Sequence, residues 1–196
     1  MKKSLYLLIY SLIFALTTQI SSANELAIWD RLQGTAPKGY VLLLRHSLAP
    51  GVGDPANFKL NDCSTQRNLS QDGRDDARDV GLWLQRREIK IARVESSRWC
   101  RAIETATLLN LGKVRLNKNL DSLFQEADAL NHPQTIKVRK QIVSHRNKSG
   151  LLVLVGHFVN IGVLTNVGVD SGEGVLVRAD SKGKIKVLGA TPKLNR

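Results

Sequence analysis

Two aliphatic runs that each end in a histidine place the strongest constraint on what this chain can fold into. Residues 41–44 lead directly to Arg45 and His46, and residues 151–155 lead to His157 after one glycine. Short runs that are apolar on both faces are typical of strands buried inside a parallel sheet. Open α/β sheets bind ligands beyond the carboxyl ends of their strands. We therefore expect both histidines to lie at the functional edge of such a sheet.

Helical patterns separate the predicted strands. The sequence predicts helices at 71–87, 99–109 and 135–146, strands at 91–95 and 114–116, and a hairpin of strands 174–179 and 184–188. Ser70 is a predicted helix N-cap, and Asp72 suits the positive end of that helix dipole. Strands that alternate with helices predict a three-layer α/β/α sandwich with a mostly parallel central sheet.

The N-terminus has the pattern of an export signal. Two lysines precede an apolar stretch at about 5–16, and small residues follow at 21–23. This pattern predicts a signal peptide over 1–23, cleaved before Asn24. The alternative is a membrane anchor, but the apolar stretch is shorter than the roughly 20 residues of a spanning helix. We expect residues 24–196 to form one domain, periplasmic or secreted.

The charge of the chain favours anionic partners. The formal net charge is +12, which suits phosphate esters, acidic glycolipids or nucleic acid. The basic residues are scattered, aromatic residues make up only 5% of the chain, and an exported protein does not meet intracellular nucleic acid. We expect no nucleic-acid partner and a monomer, with an acidic envelope glycolipid as one candidate partner.

The two cysteines, Cys63 and Cys100, fit the predicted export. An even number of cysteines in an oxidising compartment is consistent with a disulfide, although spacing alone does not exclude two free thiols. Neither cysteine has a neighbouring His/Asn arrangement typical of a catalytic thiol. We expect a structural Cys63–Cys100 bridge.

A third segment, 96–106, carries an arginine suited to anion binding. Two serines end the predicted strand, and Arg101 follows in the first turn of the next helix. An arginine at a helix N-terminus can present a bidentate fork to an oxyanion. This places Arg101 near the same sheet edge as the two histidines.

These segments resemble those of the histidine phosphatase (phosphoglycerate mutase-like) superfamily. Four motifs match in family order: Arg45-His46-Ser47 matches Arg-His-Gly, 96–106 matches Ser-Ser-x-x-x-Arg-Ala-x-x-Thr-Ala, 69–77 matches a Leu-Thr-x-x-Gly-x-x-Gln-Ala helix start, and 153–157 matches the late strand that ends in histidine. The export signal and the 62–69 loop are similar to an exported bacterial branch. The resemblance implies a phosphoglycerate mutase-like fold over most of the mature chain.

The resemblance also implies a mechanism. His46 would be the nucleophile that forms a phosphohistidine, and Arg45, Arg101 and a protonated His157 would bracket the phosphoryl group. These cations would take the place of a metal, so we expect neither a metal nor another cofactor. The implied activity is that of a metal-independent phosphomonoesterase acting on a phosphate ester in the exported compartment.

The leaving group needs a proton from a carboxylic acid, which would then activate water. The loose match of 120–124 to the family's Leu-x-Glu-x-x-aromatic pattern points to Asp121, with Glu126 and then Asp128 as alternatives. The remaining substrate-binding candidates are Ser47, Arg67, Arg98 and Asn160, the last by holding the pocket loop through hydrogen bonds.

Two other functions remain open at this stage. The same fold can act as a non-catalytic binder of phosphorylated glycans or lipid headgroups, which the absence of a carboxylate facing His46 would favour. A metal site built from His46, His157 and a carboxylate is the other, but Arg45 and Arg101 would repel a cation. A mutase is disfavoured because an exported enzyme does not meet cytoplasmic phosphoglycerates.

Overall fold

The computed structural model of the chain describes residues 27–192. The predicted leader at 1–23 and its cleavage before Asn24 lie outside these residues, so they stay predictions, as does the single domain over 24–196. Between residues 27 and 192, no helix has the length and apolar character needed to cross a bilayer.

Strands and helices alternate along most of the chain. The strands are β1 (Tyr40–Arg45), β2 (Ile91–Ser96), β3 (Val114–Leu116), β4 (Leu151–Gly156), β5 (Gly174–Ala179) and β6 (Ile185–Ala190). The longer helices are α1 (Gln71–Arg86), α2 (Cys100–Leu108), α3 (Pro133–His145) and α4 (Phe158–Thr165). Short 3-10 helices cover Cys63–Thr65 and Lys118–Leu120.

The six strands form one sheet in the order β3-β2-β4-β1-β5-β6. β3, β2, β4 and β1 run parallel to one another, whereas β5 is antiparallel to both β1 and β6. The predicted hairpin is therefore β5–β6, an antiparallel extension of the parallel part. This confirms the mostly parallel sheet expected from the alternating pattern.

Alternate residues of the central strands face two separate apolar cores. Leu42 and Leu44 of β1 pack with residues of α1 and α2, including Leu84 and Ala102. Their neighbours on the same strand pack in the second core with α3 and α4, where Ile142 is fully buried. The period of two along a strand thus places helices on both faces, which is the predicted three-layer arrangement.

One of the four longer helices was absent from the sequence prediction. α4 follows His157 and reads Phe-Val-Asn-Ile-Gly-Val-Leu-Thr, which is apolar around most of its circumference. Such a segment has no clear 3.6-residue period, so hydrophobic patterning does not separate it from the strand before it. Its C-cap, Asn166, adopts the left-handed conformation with φ of 59°, which ends the helix.

Strand pairing brings the functional strand ends together. β4 lies between β2 and β1, with Arg45 opposite Gly156 and Ser96 opposite Val155. The residues that immediately follow these strands therefore emerge side by side at one sheet edge. This edge holds both histidines identified from the sequence.

The predicted disulfide is present. Cys63 and Cys100 are bonded, which joins the long loop after β1 to the first residue of α2. The Gln66 side chain strengthens this connection because its Oε1 accepts a hydrogen bond from the Cys100 amide. The loop is thereby fastened to the helix that carries Arg101.

Candidate active site

A pocket of about 300 Å³ opens at the carboxyl edge of the sheet. Its lining includes five of the residues predicted from the sequence: Arg45, His46, Arg67, Arg101 and His157. The rings of the two histidines lie 5.4 Å apart between centroids, at 66° to each other. Residues that are far apart in sequence therefore form one polar cavity.

His46 presents a free-base nitrogen to the pocket. Its Nδ1 lies 2.8 Å from the carbonyl oxygen of Ser47, which can only accept, so Nδ1 carries the proton and donates it. Nε2 therefore holds the lone pair, and it accepts a hydrogen bond from Nε of Arg101 at 3.2 Å. These two contacts fix both the tautomer and the orientation of the ring.

The surroundings of His46 keep it neutral. The pKa of His46 is lowered from 6.5 to about 3, chiefly by burial and then by the charges of Arg101, Arg45 and Arg67. The hydrogen bond to the Ser47 carbonyl opposes this shift. A neutral imidazole that holds a lone pair on Nε2, among fixed cations, is suited to attack an electrophile that carries negative charge once that lone pair leaves the Arg101 hydrogen bond.

His157 is fixed by a side-chain relay on the other side of the cavity. Its Nε2 lies 2.9 Å from the hydroxyl of Ser97, which in turn lies 3.4 Å from Oδ1 of Asp121. Burial lowers the pKa of His157 well below 6.5, and His46 and Arg101 lower it further. These effects favour the neutral imidazole in the free protein, and a protonated His157 beside a bound phosphoryl group stays a prediction.

Asp121 lies behind the pocket and is not part of its lining. One carboxylate oxygen accepts from the Arg98 amide at 2.9 Å, and the other accepts from the Arg98 guanidinium at 2.8 and 2.5 Å. The next residue, Ser122, lines the pocket instead. Asp121 thus anchors the Ser97 relay through its hydrogen bonds with Arg98, and its assignment as the proton donor stays a prediction.

The two predicted phosphate-binding arginines enter the site from different elements. Arg45, at the end of β1, donates from one guanidinium nitrogen to the Val169 carbonyl at 3.0 Å and lies 5.4 Å from the centre of the Phe158 ring. Arg101 is only 3% exposed and contacts His46 directly. Both hold positive charge inside the cavity, where solvent screens it weakly.

A carboxylate that the sequence analysis did not identify, Asp54, also lines the pocket. Its Oδ1 accepts from Arg101 at 2.6 Å, and its Oδ2 accepts from Trp99 Nε1 at 2.9 Å. Burial by itself would raise the pKa of Asp54, but the hydrogen bonds from Arg101 and Trp99 hold it below its usual value. Because Asp54 lies in an irregular Gly- and Pro-rich loop, no periodic signal marked it.

Of the other predicted substrate contacts, Arg67 and Arg98 have structural partners. Arg67 donates 2.6 Å to the Gly53 carbonyl and also contacts the Ala49 carbonyl, so it holds the loop in front of the pocket while lining it. Arg98 binds Asp121. Ser47 is buried, and its backbone acts on the His46 ring through the carbonyl.

Asn160 of α4 holds the segment that follows β3. Its Nδ2 donates to the Asp121 carbonyl at 2.8 Å, and its Oδ1 accepts from the Leu123 amide at 3.2 Å. This agrees with the expectation that Asn160 holds the pocket loop by hydrogen bonds. The alternative acids Glu126 and Asp128 are exposed and do not line the pocket.

The described residues also include side chains of the kinds that metal ions require as ligands. Over residues 27–192, no three His, Cys, Asp or Glu side chains are placed to ligate a metal ion together. The polar groups around the pocket are mainly cationic, which suits an anion.

No protein-family model and no curated protein matches the sequence. Solved structures do resemble the fold. The protein histidine phosphatase SixA complexed with tungstate has a TM-score of 0.57 and 16% identity, over 78% of this chain and 96% of that chain. A mutant phosphoserine phosphatase from Entamoeba histolytica, in complex with phosphoserine, has a TM-score of 0.56 and 13% identity, over 77% of this chain and 95% of that chain.

A third similar structure is the ecdysone phosphate phosphatase from Bombix mori in complex with tungstate. It has a TM-score of 0.56 and 14% identity, and the match covers 80% of this chain and 95% of that one. The chain therefore has the fold of the histidine phosphatase (phosphoglycerate mutase-like) superfamily, as the sequence motifs predicted.

Proposed function

We propose that this protein is a metal-independent phosphomonoesterase that acts through a phosphohistidine on His46. The observation that carries the proposal is the neutral, oriented Nε2 of His46 in a cavity that also holds Arg45, Arg101 and His157. A lone pair surrounded by cationic donors is the arrangement that phosphoryl transfer requires. The similar phosphatase structures support the same reaction class.

The reaction has two balanced steps. In the first, the Nε2 lone pair forms a bond to phosphorus while the ester P–O bond breaks, and the leaving oxygen gains a proton to become an alcohol. In the second, water attacks phosphorus, gives up a proton and releases phosphate, and the N–P electrons return to Nε2. The Nδ1 proton stays on Nδ1 throughout and remains hydrogen-bonded to the Ser47 carbonyl.

The cations around the cavity stabilise the charge that develops on the phosphoryl oxygens. Arg45 and Arg101 carry positive charge before substrate arrives, so they need little reorganisation during the reaction. His157 is neutral in the free protein. A bound phosphoryl dianion favours its protonated form, because an opposite charge nearby raises the pKa of an imidazole.

The test is acid-labile phosphorylation of the purified protein together with hydrolysis of nitrophenyl phosphate in EDTA. We expect turnover and label on histidine in wild type, and the loss of both in His46→Ala. His132→Gln is the matched control, since His132 caps α3 and does not line the pocket. Turnover that persists in His46→Ala contradicts the proposal.

The non-catalytic reading predicts a different result in the same experiment. A binder of phosphorylated glycans or lipid headgroups would hold phosphate esters without turnover or label, and binding would survive His46→Ala. The pocket contains a carboxylate beside Arg101, which favours the enzyme.

The proposal also includes an exported location and an anionic substrate. The lysines and apolar stretch before residue 24 support export, and the net charge of +12 supports an anionic substrate such as a phosphorylated envelope glycolipid. Fractionation of cells that express the full chain tests export. A cytoplasmic protein with the N-terminal 23 residues intact contradicts it.

A further inference from the structure

The predicted acid does not face the cavity, whereas another carboxylate does. Asp121 is held by both the backbone and the guanidinium of Arg98, and its carboxylate does not line the pocket. Ser122 lines the pocket at the adjoining position, but a hydroxyl is too weak an acid to supply the leaving-group proton. Among the described residues that line this pocket, the only carboxylate is that of Asp54.

Asp54 and the nucleophile are bound to neighbouring nitrogens of one guanidinium. Nε of Arg101 donates to His46 Nε2 at 3.2 Å, and one terminal nitrogen donates to Asp54 Oδ1 at 2.6 Å. Because a guanidinium is planar and rigid, these two groups keep a fixed relation to each other. A phosphoryl group bound by Arg101 would therefore have His46 and Asp54 among its immediate neighbours.

We propose that Asp54 is the catalytic proton-transfer residue of this site, an inference that rests on the phosphatase function proposed above. In the first step the Asp54 carboxyl gives its proton to the leaving oxygen as the P–O bond breaks and the N–P bond forms. In the second step the Asp54 carboxylate takes a proton from the attacking water as the N–P bond breaks. Asp54 is thus regenerated with each turnover.

Substrate binding favours the uptake of a proton from solvent by Asp54, and this is the proton used in the first step. In the free protein, Asp54 is an anion paired with Arg101. A phosphoryl group competes for the same guanidinium and brings negative charge beside the carboxylate. Like charges favour the neutral form of an acid, so bound substrate and a protonated Asp54 stabilise each other.

The loop that carries Asp54 is held in place on several sides. Arg67 binds the carbonyl of Gly53, one residue before Asp54. Phe58 stacks on Trp99 at 5.3 Å between ring centroids, and Trp99 also donates to Asp54. These contacts position a loop residue with a rigidity that catalysis requires.

The test compares Asp54→Asn and Asp121→Asn on two esters, nitrophenyl phosphate and a simple alkyl phosphate. Nitrophenolate leaves without a proton, so the first step on nitrophenyl phosphate should not need Asp54. We therefore expect Asp54→Asn to release one equivalent of nitrophenolate in a burst. The variant should then accumulate as the phosphohistidine form, because no carboxylate activates the attacking water. On the alkyl ester we expect kcat to fall by about 10²–10⁴-fold with no burst. Asp121→Asn, a variant of a positioning residue, should lose activity on both esters equally and show no burst.

Several outcomes overturn the assignment of Asp54. Equal losses on both esters, without a burst, would show a positional role only. Undiminished or faster turnover would show that Asp54 merely competes with substrate for Arg101. A burst in Asp121→Asn instead would return the role to Asp121. If wild type turns over neither ester and forms no phosphohistidine, the proposed function itself fails, which is distinct from failure at Asp54 alone.

Discussion

The hydroxyl of Ser97 lies 2.9 Å from Nε2 of His157. The same hydroxyl lies within reach of Asp121, whose carboxylate accepts hydrogen bonds from Arg98. His157 can therefore donate from Nε2 to Ser97 while Ser97 donates to Asp121, which leaves Nδ1 as the nitrogen that responds to substrate. This relay gives Asp121 a function that does not depend on facing the pocket.

Ser97→Ala should weaken catalysis without unfolding the protein. Loss of a hydrogen bond worth about 1 kcal/mol frees the His157 ring, so we expect kcat/KM to fall roughly fivefold to tenfold. Steady-state kinetics measure this, with the exposed Ser144→Ala as control. Unchanged kcat/KM in Ser97→Ala would show that the relay does not orient His157.

Stability should fall in acid because His46 stays neutral when buried. Its pKa in the folded protein is about 3, whereas the unfolded chain takes up this proton near pH 6.5. The unfolded state therefore binds more protons between these values, and the free energy of unfolding decreases by about 1.4 kcal/mol per pH unit as pH falls through this window. Above pH 6.5 the contribution is complete.

Urea unfolding at several pH values between 3 and 8 measures this slope. His46→Asn removes one titrating group. Between pH 6.5 and 3, the free energy of unfolding of this variant should therefore depend less steeply on pH, by the equivalent of up to one bound proton. The buried His157 still contributes to the variant, because its pKa is also lowered by burial. Identical slopes in wild type and His46→Asn would contradict the neutral state of His46.

The sequence predicted those parts of the site that regular elements position. His46 and His157 follow apolar strand runs, and Arg101 lies at a helix start, so their meeting at one edge follows from the order of strands and helices. Asp54 was missed because contacts from Arg67 and Trp99, distant in sequence, determine where its loop lies. Local sequence does not encode such contacts in a recognisable pattern.

The protonation of His157 shows a second limit of sequence-based reasoning. Its place at the sheet edge follows from the strand pattern, but its charge in the free protein depends on its burial and on the proximity of His46 and Arg101. Both quantities are properties of the folded site. Residue type and spacing therefore predicted where His157 lies, whereas its charge can be judged only from the folded site.

Removing the disulfide should destabilise the protein. Cys63 and Cys100 are 37 positions apart, and closing such a loop in the unfolded chain corresponds to about 4 kcal/mol in the chain-entropy model. We expect the free energy of unfolding of the Cys63→Ser, Cys100→Ser double variant to be lower by that amount. Urea unfolding measures this difference. Reductant should shift wild type in the same direction and leave the double variant unchanged. Equal stability of oxidised wild type and the double variant would contradict a stabilising bridge.

The apolar rim of the pocket should select the leaving group. Phe124 and Phe158 are 57% and 48% exposed, and both line the pocket that holds His46. An ester with an apolar leaving group can bury part of these rings, at about 25 cal/mol for each Å² removed from water. Phe158 also contacts Arg45, so Phe124 is the cleaner position to change.

Phe124→Ala should therefore raise KM for nitrophenyl phosphate by about threefold to tenfold, since roughly 1 kcal/mol of apolar contact is lost. KM for a short alkyl phosphate should change little, because such an ester does not reach the rim. Leu130→Ala, at another exposed apolar position outside this pocket, is the matched control. Equal effects of Phe124→Ala on both esters would mean that the ring shapes the loop around Ser122 instead of contacting the leaving group.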